Sequence, residues 1–348
     1  MSRIAIIADD LTGALDAASP FACARARVNC LTNPGAISAE AWADTDVVSV
    51  STNSRQLAAA DAASAVREAA LKLVPFRPDF VLKKIDSRLK GNIAVESSVV
   101  ADVFGYQGLL VAPAAPDIGR HVEHGNIVGH GVSEPIDIAE KFTSQSRVCN
   151  IPDIGSMKAM QTAVQCFIKR NDTLPVCSRG FAVALAQALF SSSNGLSNPL
   201  ADPVLIAIGS RDPVTALQVE ELSASGEFVV VAAPGGHIPR QWPDTNRLVM
   251  FCTGDISNDT QAVANRFAHG LKEVIMNLRP KALLVSGGDT AEAVLRCHGQ
   301  SQLRILGEVA PGLPVSSVQL GANSIIFISK SGGFGKPTTL LDLFATQQ

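Results

Sequence analysis

The sequence predicts an α/β protein of two domains, each built on a mostly parallel sheet. Three observations carry that expectation. At 348 residues the chain is longer than one compact core usually serves. Hydrophobic residues reach 47% but aromatics only 5%, so the interior is built mainly from Ala, Val, Leu and Ile, which suits buried parallel strands under Ala-rich helices. Strand-like apolar runs also alternate with longer helical stretches along most of the chain, the pattern of βαβ units.

Taken in order, the strand patterns of the first part fall at 3–8, 46–51, 80–84 and 108–112, with helical stretches at about 13–26, 57–74 and 93–104. Two shorter strand–helix units follow at about 147–168 and 174–190. The polar run from Ser191 to Pro199, punctuated by Gly195 and Pro199, is the best linker candidate and sets domains at 1–195 and 200–348. Beyond it strands are expected at 203–208, 228–232, 248–252, 281–285 and 324–329. Helices are expected there at 213–223, 259–277, 290–298 and about 338–346.

A formal net charge of -3 argues against a protein held by nucleic-acid phosphates, though a small anion needs only a local basic pocket. No run reaches the roughly 18 apolar residues of a membrane span. The first strand pattern is cut off at once by Asp9-Asp10, unlike a secretory leader. The seven cysteines are odd in number and form no Cys-x-x-Cys pair, which favours free thiols and a cytoplasmic protein. No heptad or apolar stripe stands out, so a homo-oligomer is left open.

Ligands of open parallel sheets gather at the carboxyl ends of strands, and the residues with chemistry fall there. Asp9 and Asp10 close the first strand pattern. Paired acids can bind a hydroxyl, hold Mg²⁺ or act as a base; helix capping by Asp10 is an equal reading. Arg55, after the 46–51 strand, has the fork that clamps a carboxylate at two points. Lys83 to Asn92 is denser: Lys84, Asp86, Ser87 and Arg88 around Ile85 suit a substrate with one acid group and several hydroxyls. The proline-stiffened stretch 113–120 holds Asp117 and Arg120, or is a plain rigid turn.

In the second half, glycine turns follow three strand patterns: Gly209-Ser210, Gly287-Gly288-Asp289-Thr290 and Gly332-Gly333. Glycine beside a helix start lets phosphate approach bare N–H groups, and three such turns in one half favour a nucleotide. No Walker P-loop and no Gly-x-Gly-x-x-Gly after the first strand is present. His121, His124 and His130 lack the spacing of a zinc site.

Taken with Ala8 to Gly13, Ser54-Arg55, Lys83 to Asn92, Val111 to Arg120, Gly209-Ser210 with Thr215 and Gln218, Gly287 to Ala291, Gly307-Glu308, Pro311-Gly312 and Lys330 to Gly335, the chain resembles the four-carbon acid sugar kinases along nearly its whole length. The resemblance implies a sugar-acid domain, then a nucleotide domain, with the reaction in the cleft between them. It implies that Asp9, Arg55 and Lys84 to Ser87 contact substrate, and that Ser210, Gly287 to Thr290 and Gly332-Gly333 contact ATP. The family's usual Thr and Arg are replaced by Arg88 and Lys90, and the stretch after Arg120 is shorter; both changes lie on the substrate side.

The expected partners are a small sugar acid such as threonate, erythronate or an oxo form, ATP and Mg²⁺, with the C4 hydroxyl as acceptor. Lys84 or Arg88 would bind the substrate carboxylate, and Asp86 or Asp9 would take the hydroxyl proton. No residue is assigned to the metal. The rival readings are a sugar-acid dehydrogenase or lyase on similar sheets, and a sugar-acid-binding protein without catalysis.

Overall fold

A computed structural model describes residues 2–170, 172–191, 196, 200–254, 259–320 and 323–345. The chain divides into two compact units, Met1–Asn194 and Gly195–Gln348. The linker candidate 191–199 lies outside the described residues except for Ser191 and Leu196. Among the described residues no helix is long and apolar enough to cross a membrane.

The first unit runs β1 (Ile4–Ala8), α1 (Leu11–Cys23), β2 (Val28–Leu31), α2 (Ala39–Trp42), β3 (Val47–Ser51), α3 (Ala59–Leu73), β4 (Phe80–Lys84), α4 (Ile93–Phe104) and β5 (Gly108–Ala112). A small antiparallel sheet of β6 (Arg120–Glu123), β7 (Asn126–Gly129) and β8 (Ile136–Asp137) follows. The unit ends with β9 (Val148–Asn150), α5 (Met157–Arg170), β10 (Thr173–Cys177) and α6 (Arg179–Leu189). Its main sheet has the order β2-β3-β1-β4-β10-β5-β9, with every pair parallel.

Burial explains these elements. Every residue of β1 is buried, as expected of a central parallel strand covered on both faces. Helix α1 turns a strip of small residues (Gly13, Ala14, Ala17, Ala18) inward, and the Ser49 hydroxyl donates to the Ala14 carbonyl at 2.9 Å. In α5 the buried residues Met160, Val164 and Phe167 recur at helical spacing. Phe167 packs against Phe80 and Phe181, with ring centroids 5.6 Å away in both cases. Such pairs contribute about 0.5–1.5 kcal/mol each beyond area burial.

The second unit runs β11 (Val204–Ile208), α7 (Pro213–Ala224), β12 (Val229–Pro234), β13 (Arg247–Thr253), α8 (Thr260–Leu278), β14 (Ala282–Ser286), α9 (Gly288–Cys297), β15 (Gln302–Ala310), β16 (Leu313–Leu320), β17 (Asn323–Lys330) and α10 (Thr339–Ala345). The order is β12-β13-β11-β14-β17-β16-β15. The strands from β12 to β17 are parallel, and β16 and β15 extend them as an antiparallel meander.

Most strands and helices lie within a few residues of their expected positions. Helix α1 starts at Leu11 rather than 13, because the Asp10 carboxylate accepts the Gly13 N–H at 2.7 Å and caps the first turn. Strands β2, β15 and β16 and the β6–β8 sheet had no expected counterpart. In β15 exposed and buried residues alternate over Gln302–Ile305, so its sequence lacks the continuous apolar run that marks the covered strands.

Candidate functional site

In the first unit the chain leaves β1 for β2 and β3, then returns past β1 to β4. The carboxyl ends of β1 and β4 therefore flank the switch in strand order, where open sheets bind ligands. Parallel register pairs Ala8 with both Ser51 and Lys84, which brings the loops carrying Asp9, Arg55 and Asp86 together.

Arg55 grips Asp9 at two points, Nε to Oδ2 at 2.8 Å and Nη2 to Oδ1 at 2.9 Å. Its Nη1 donates to Asp10 Oδ2 at 2.5 Å and lies 4.0 Å from Asp86 Oδ2. The two-point fork expected of Arg55 is thus present, and the carboxylate it holds belongs to the protein itself. Burial pushes the Asp9 carboxyl up, but hydrogen bonds from Arg55 and the charges of Lys83, Arg55 and Lys84 outweigh it and leave the group below the ordinary aspartate value. Asp10 moves the other way: burial and the charge of Asp9 hold it above that value despite Arg55.

Beneath these residues lies a buried ion pair. Lys83 Nζ is 2.9 Å from Glu96 Oε2, and the two side chains are 0% and 1% exposed. Glu96 Oε1 accepts the Ser54 hydroxyl at 2.7 Å, and the Ser54 and Arg55 N–H groups both donate to the Asp9 carbonyl. The pair thus ties α4 and β4 to the loop that carries Arg55.

Lys84 is buried and donates to the Ile85 carbonyl at 2.9 Å. Ile85 is fully buried and its N–H donates to the Cys177 carbonyl, so it fixes the residues on either side of it. Asp86 Oδ1 accepts the Arg88 N–H at 2.9 Å. Among the described residues its Oδ2 accepts no hydrogen bond.

Ser87 accepts from Arg120 Nη1 at 2.5 Å, and the same guanidinium donates twice to the His130 carbonyl. Burial and the neighbouring positive charge of Arg88 push Arg120 below the ordinary arginine value. Asp117 accepts Arg179 Nε at 2.7 Å, while Arg179 Nη1 reaches Asp16 at 3.2 Å. Arg179 escaped the sequence reading, although its place two residues past β10 is the signal that picked out the other strand-end residues.

The second unit holds a pocket of about 290 Å³. Of the residues expected to meet ATP, Ser210, Gly287, Gly288, Asp289, Thr290 and Gly332 line it, while Gly333 does not. Gly287 has φ +113°, a left-handed value that favours glycine. A Cβ on Gly332 would lie 2.1 Å from Ser210 Oγ and 3.0 Å from Ser210 Cβ, so a side chain there would have to displace the Ser210 hydroxyl. Val263, Ala264 and Phe267 of α8 form an apolar wall, which the sequence presents as ordinary helix core.

A glycine- and hydroxyl-lined floor beside an apolar wall fits a ligand with phosphates at one end and a flat ring at the other. Among the described residues no group of three or more His, Cys, Asp or Glu is placed to hold a metal ion. A Mg²⁺ that travels on phosphate oxygens and keeps several waters does not need such a cage.

Residues 4–147 match the family model described as a sugar-binding N-terminal domain, and 244–340 the one described as a nucleotide-binding C-terminal domain. The chain is similar to a D-threonate kinase of Bordetella bronchiseptica, 23% identical over 97% of this chain and 96% of that protein. It is also similar to a D-threonate kinase of Salmonella typhimurium, 26% identical over 98% and 97%. A D-erythronate kinase of Heliobacterium modesticaldum is 35% identical over 40% of this chain and 32% of its own length.

Among solved structures, a Salmonella typhimurium LT2 protein described as a tRNA synthase aligns with TM-score 0.78 at 17% identity, covering 100% and 99% of the two chains. A Haemophilus influenzae protein aligns with TM-score 0.68 at 16% identity, covering 99% and 100%. At these identities the likeness shows the α/β fold alone.

Proposed function

Because the chain belongs to the four-carbon acid sugar kinase family, in which a sugar-binding N-terminal domain is joined to a nucleotide-binding C-terminal domain, we propose that it transfers the γ-phosphoryl group of ATP to the C4 hydroxyl of a four-carbon sugar acid. Its main support is Asp86 at the carboxyl edge of the first sheet, whose Oδ2 accepts no hydrogen bond among the described residues and faces the Arg55 guanidinium at 4.0 Å. A carboxylate oxygen held there by charge but by no hydrogen bond can accept the proton of an attacking hydroxyl, whereas both oxygens of Asp9 are hydrogen-bonded by Arg55. Asp86 is therefore read as the base, and Asp9 as the residue that sets the Arg55 guanidinium.

Arg88 and Arg120 stand close enough for the charge of one to disfavour that of the other. A substrate carboxylate beside them would relieve that repulsion, and we assign its binding to this pair ahead of Lys84, which already faces Asp9 and Asp10. Ser210, Gly287 to Thr290 and the Gly332-Gly333 turn would hold the nucleotide. Bound Mg²⁺ would neutralise charge on the phosphates.

An ADP-release assay with Mg-ATP tests the reading against D- and L-threonate, D- and L-erythronate and their oxo forms. Turnover with one of them, lowered about 10²- to 10⁴-fold in Asp86→Asn, is the expected result. ATP binding without turnover across the panel would move the substrate to another acid. Absence of ATP binding would overturn the kinase reading.

A further inference from the structure

We propose that Lys330 is a positioning residue for the nucleotide's phosphates, because it grips the carbonyls of Ser331 and Gly332 and so turns the Gly332 and Gly333 N–H groups away from itself as anion donors. The inference rests on the nucleotide reading of the second unit and adds to it the residue that shapes the phosphate turn.

Lys330 ends β17 and is 0% exposed. Its ammonium donates to Ser331 O at 3.0 Å and Gly332 O at 2.8 Å, and lies 3.4 Å from both Thr215 Oγ1 and Ser286 Oγ. Thr215 Oγ1 adds a second hold on the Gly332 carbonyl at 2.6 Å. A trans peptide places its N–H opposite its C=O. Fixing those two carbonyls toward Lys330 therefore fixes the following amides, of Gly332 and Gly333, to point the other way. Among the described residues neither amide meets an acceptor. Gly332 lines the pocket together with Gly287 and Thr290. Successive free amides in a glycine turn are a concave anion site.

The groups around the ammonium are mostly neutral. Thr215 comes from α7, Ser286 from β14, and the carbonyls from its own loop; Asp212, in the loop before α7, is the charged group that bears on it. Burial depresses the Lys330 ammonium to about 8, with Asp212 opposing. Below that pH the lysine is charged and holds the turn by charge-assisted hydrogen bonds. Above it the charge is lost, while a bound phosphate would favour the charged form. Nucleotide affinity should therefore be level up to about pH 8 and then fall, by at most about tenfold per pH unit.

The test is calorimetric titration of the intact protein with ATP and with adenosine between pH 7.5 and 9.5, where the phosphates are already fully ionised. The expected result is ATP affinity that falls above pH 8 and adenosine affinity that does not. In Lys330→Met, ATP should bind about 10- to 100-fold more weakly with a flat pH profile, and adenosine should be unchanged. ATP affinity that stays level to pH 9.5 in the unsubstituted protein would overturn the proposal without reference to the variant. So would an equal loss of ATP and adenosine in Lys330→Met. If the unsubstituted protein binds neither ligand, the nucleotide reading itself has failed.

Discussion

Arg55 and Asp9, 46 residues apart in sequence, meet as a two-point ion pair with both carboxylate oxygens engaged at 2.8 and 2.9 Å. Asp9 is 1% exposed and Arg55 23%. An arginine fork in this setting organises the site as well as charging it.

Arg55→Met should cost about 3 kcal/mol of stability at pH 7, since it leaves a buried carboxylate without its partner. The cost should depend on pH. Asp9 lies below its ordinary value in the fold, so its stabilising contribution is present above that value and is lost as pH falls through the folded value. Without Arg55, burial drives Asp9 to take a proton, and the deficit should shrink toward pH 4. Urea denaturation at pH 4 and pH 7 measures the difference; an equal deficit at both would contradict this account.

Asp86→Asn and Asp9→Asn should part company in kinetics. Loss of a general base should lower kcat about 10²- to 10⁴-fold and leave ATP affinity intact. Asp9→Asn weakens the hold on Arg55 and should act chiefly through the KM for the sugar acid. Steady-state rates with varied sugar acid separate the two, and the reverse pattern would exchange their roles.

Glu96→Ala strands the buried Lys83 ammonium and should cost about 3–5 kcal/mol. Replacing both partners by methionine should recover most of that loss. Guanidinium denaturation of both single variants and the double variant closes the cycle. Additive losses would mean that the pair does not act as a unit.

Gly332→Ala places a methyl group where Ser210 Oγ stands 2.1 Å away. Either the turn or the Ser210 hydroxyl that lines the pocket must move, and ATP affinity should fall about tenfold. Sugar-acid binding by the first unit should be unaffected. Titration of each ligand separately checks both halves of the statement.

Buried parallel strands were legible because their signal is local. Runs such as Ile4–Ala8 and Ala282–Ser286 are apolar throughout, and the helices between them carry their own period. The antiparallel β15 and β16 were not: β15 alternates exposed and buried positions over Gln302–Ile305, and the apolar run of β16 is interrupted by Pro314, Ser316 and Ser317. The strand-end rule pointed to Asp9, Arg55, Asp86 and the glycine turns, and the structure places each at such an end. Applied to β10 it would also have found Arg179.

The sequence alone determined the two-part α/β organisation, the acid-and-base character of the first unit's loops and the glycine turns of the second. Tertiary structure decided which charges face one another. Arg55 could have been read as a free clamp until the β1–β3 register set it on Asp9. Lys83 could have been one more charge until burial paired it with Glu96. Lys330 was a residue beside a turn until the fold closed over its ammonium. The physical reason is range: apolar periodicity is written within a few residues, but an ion pair depends on parallel register, where a slip of one residue sends a side chain to the opposite face of the sheet.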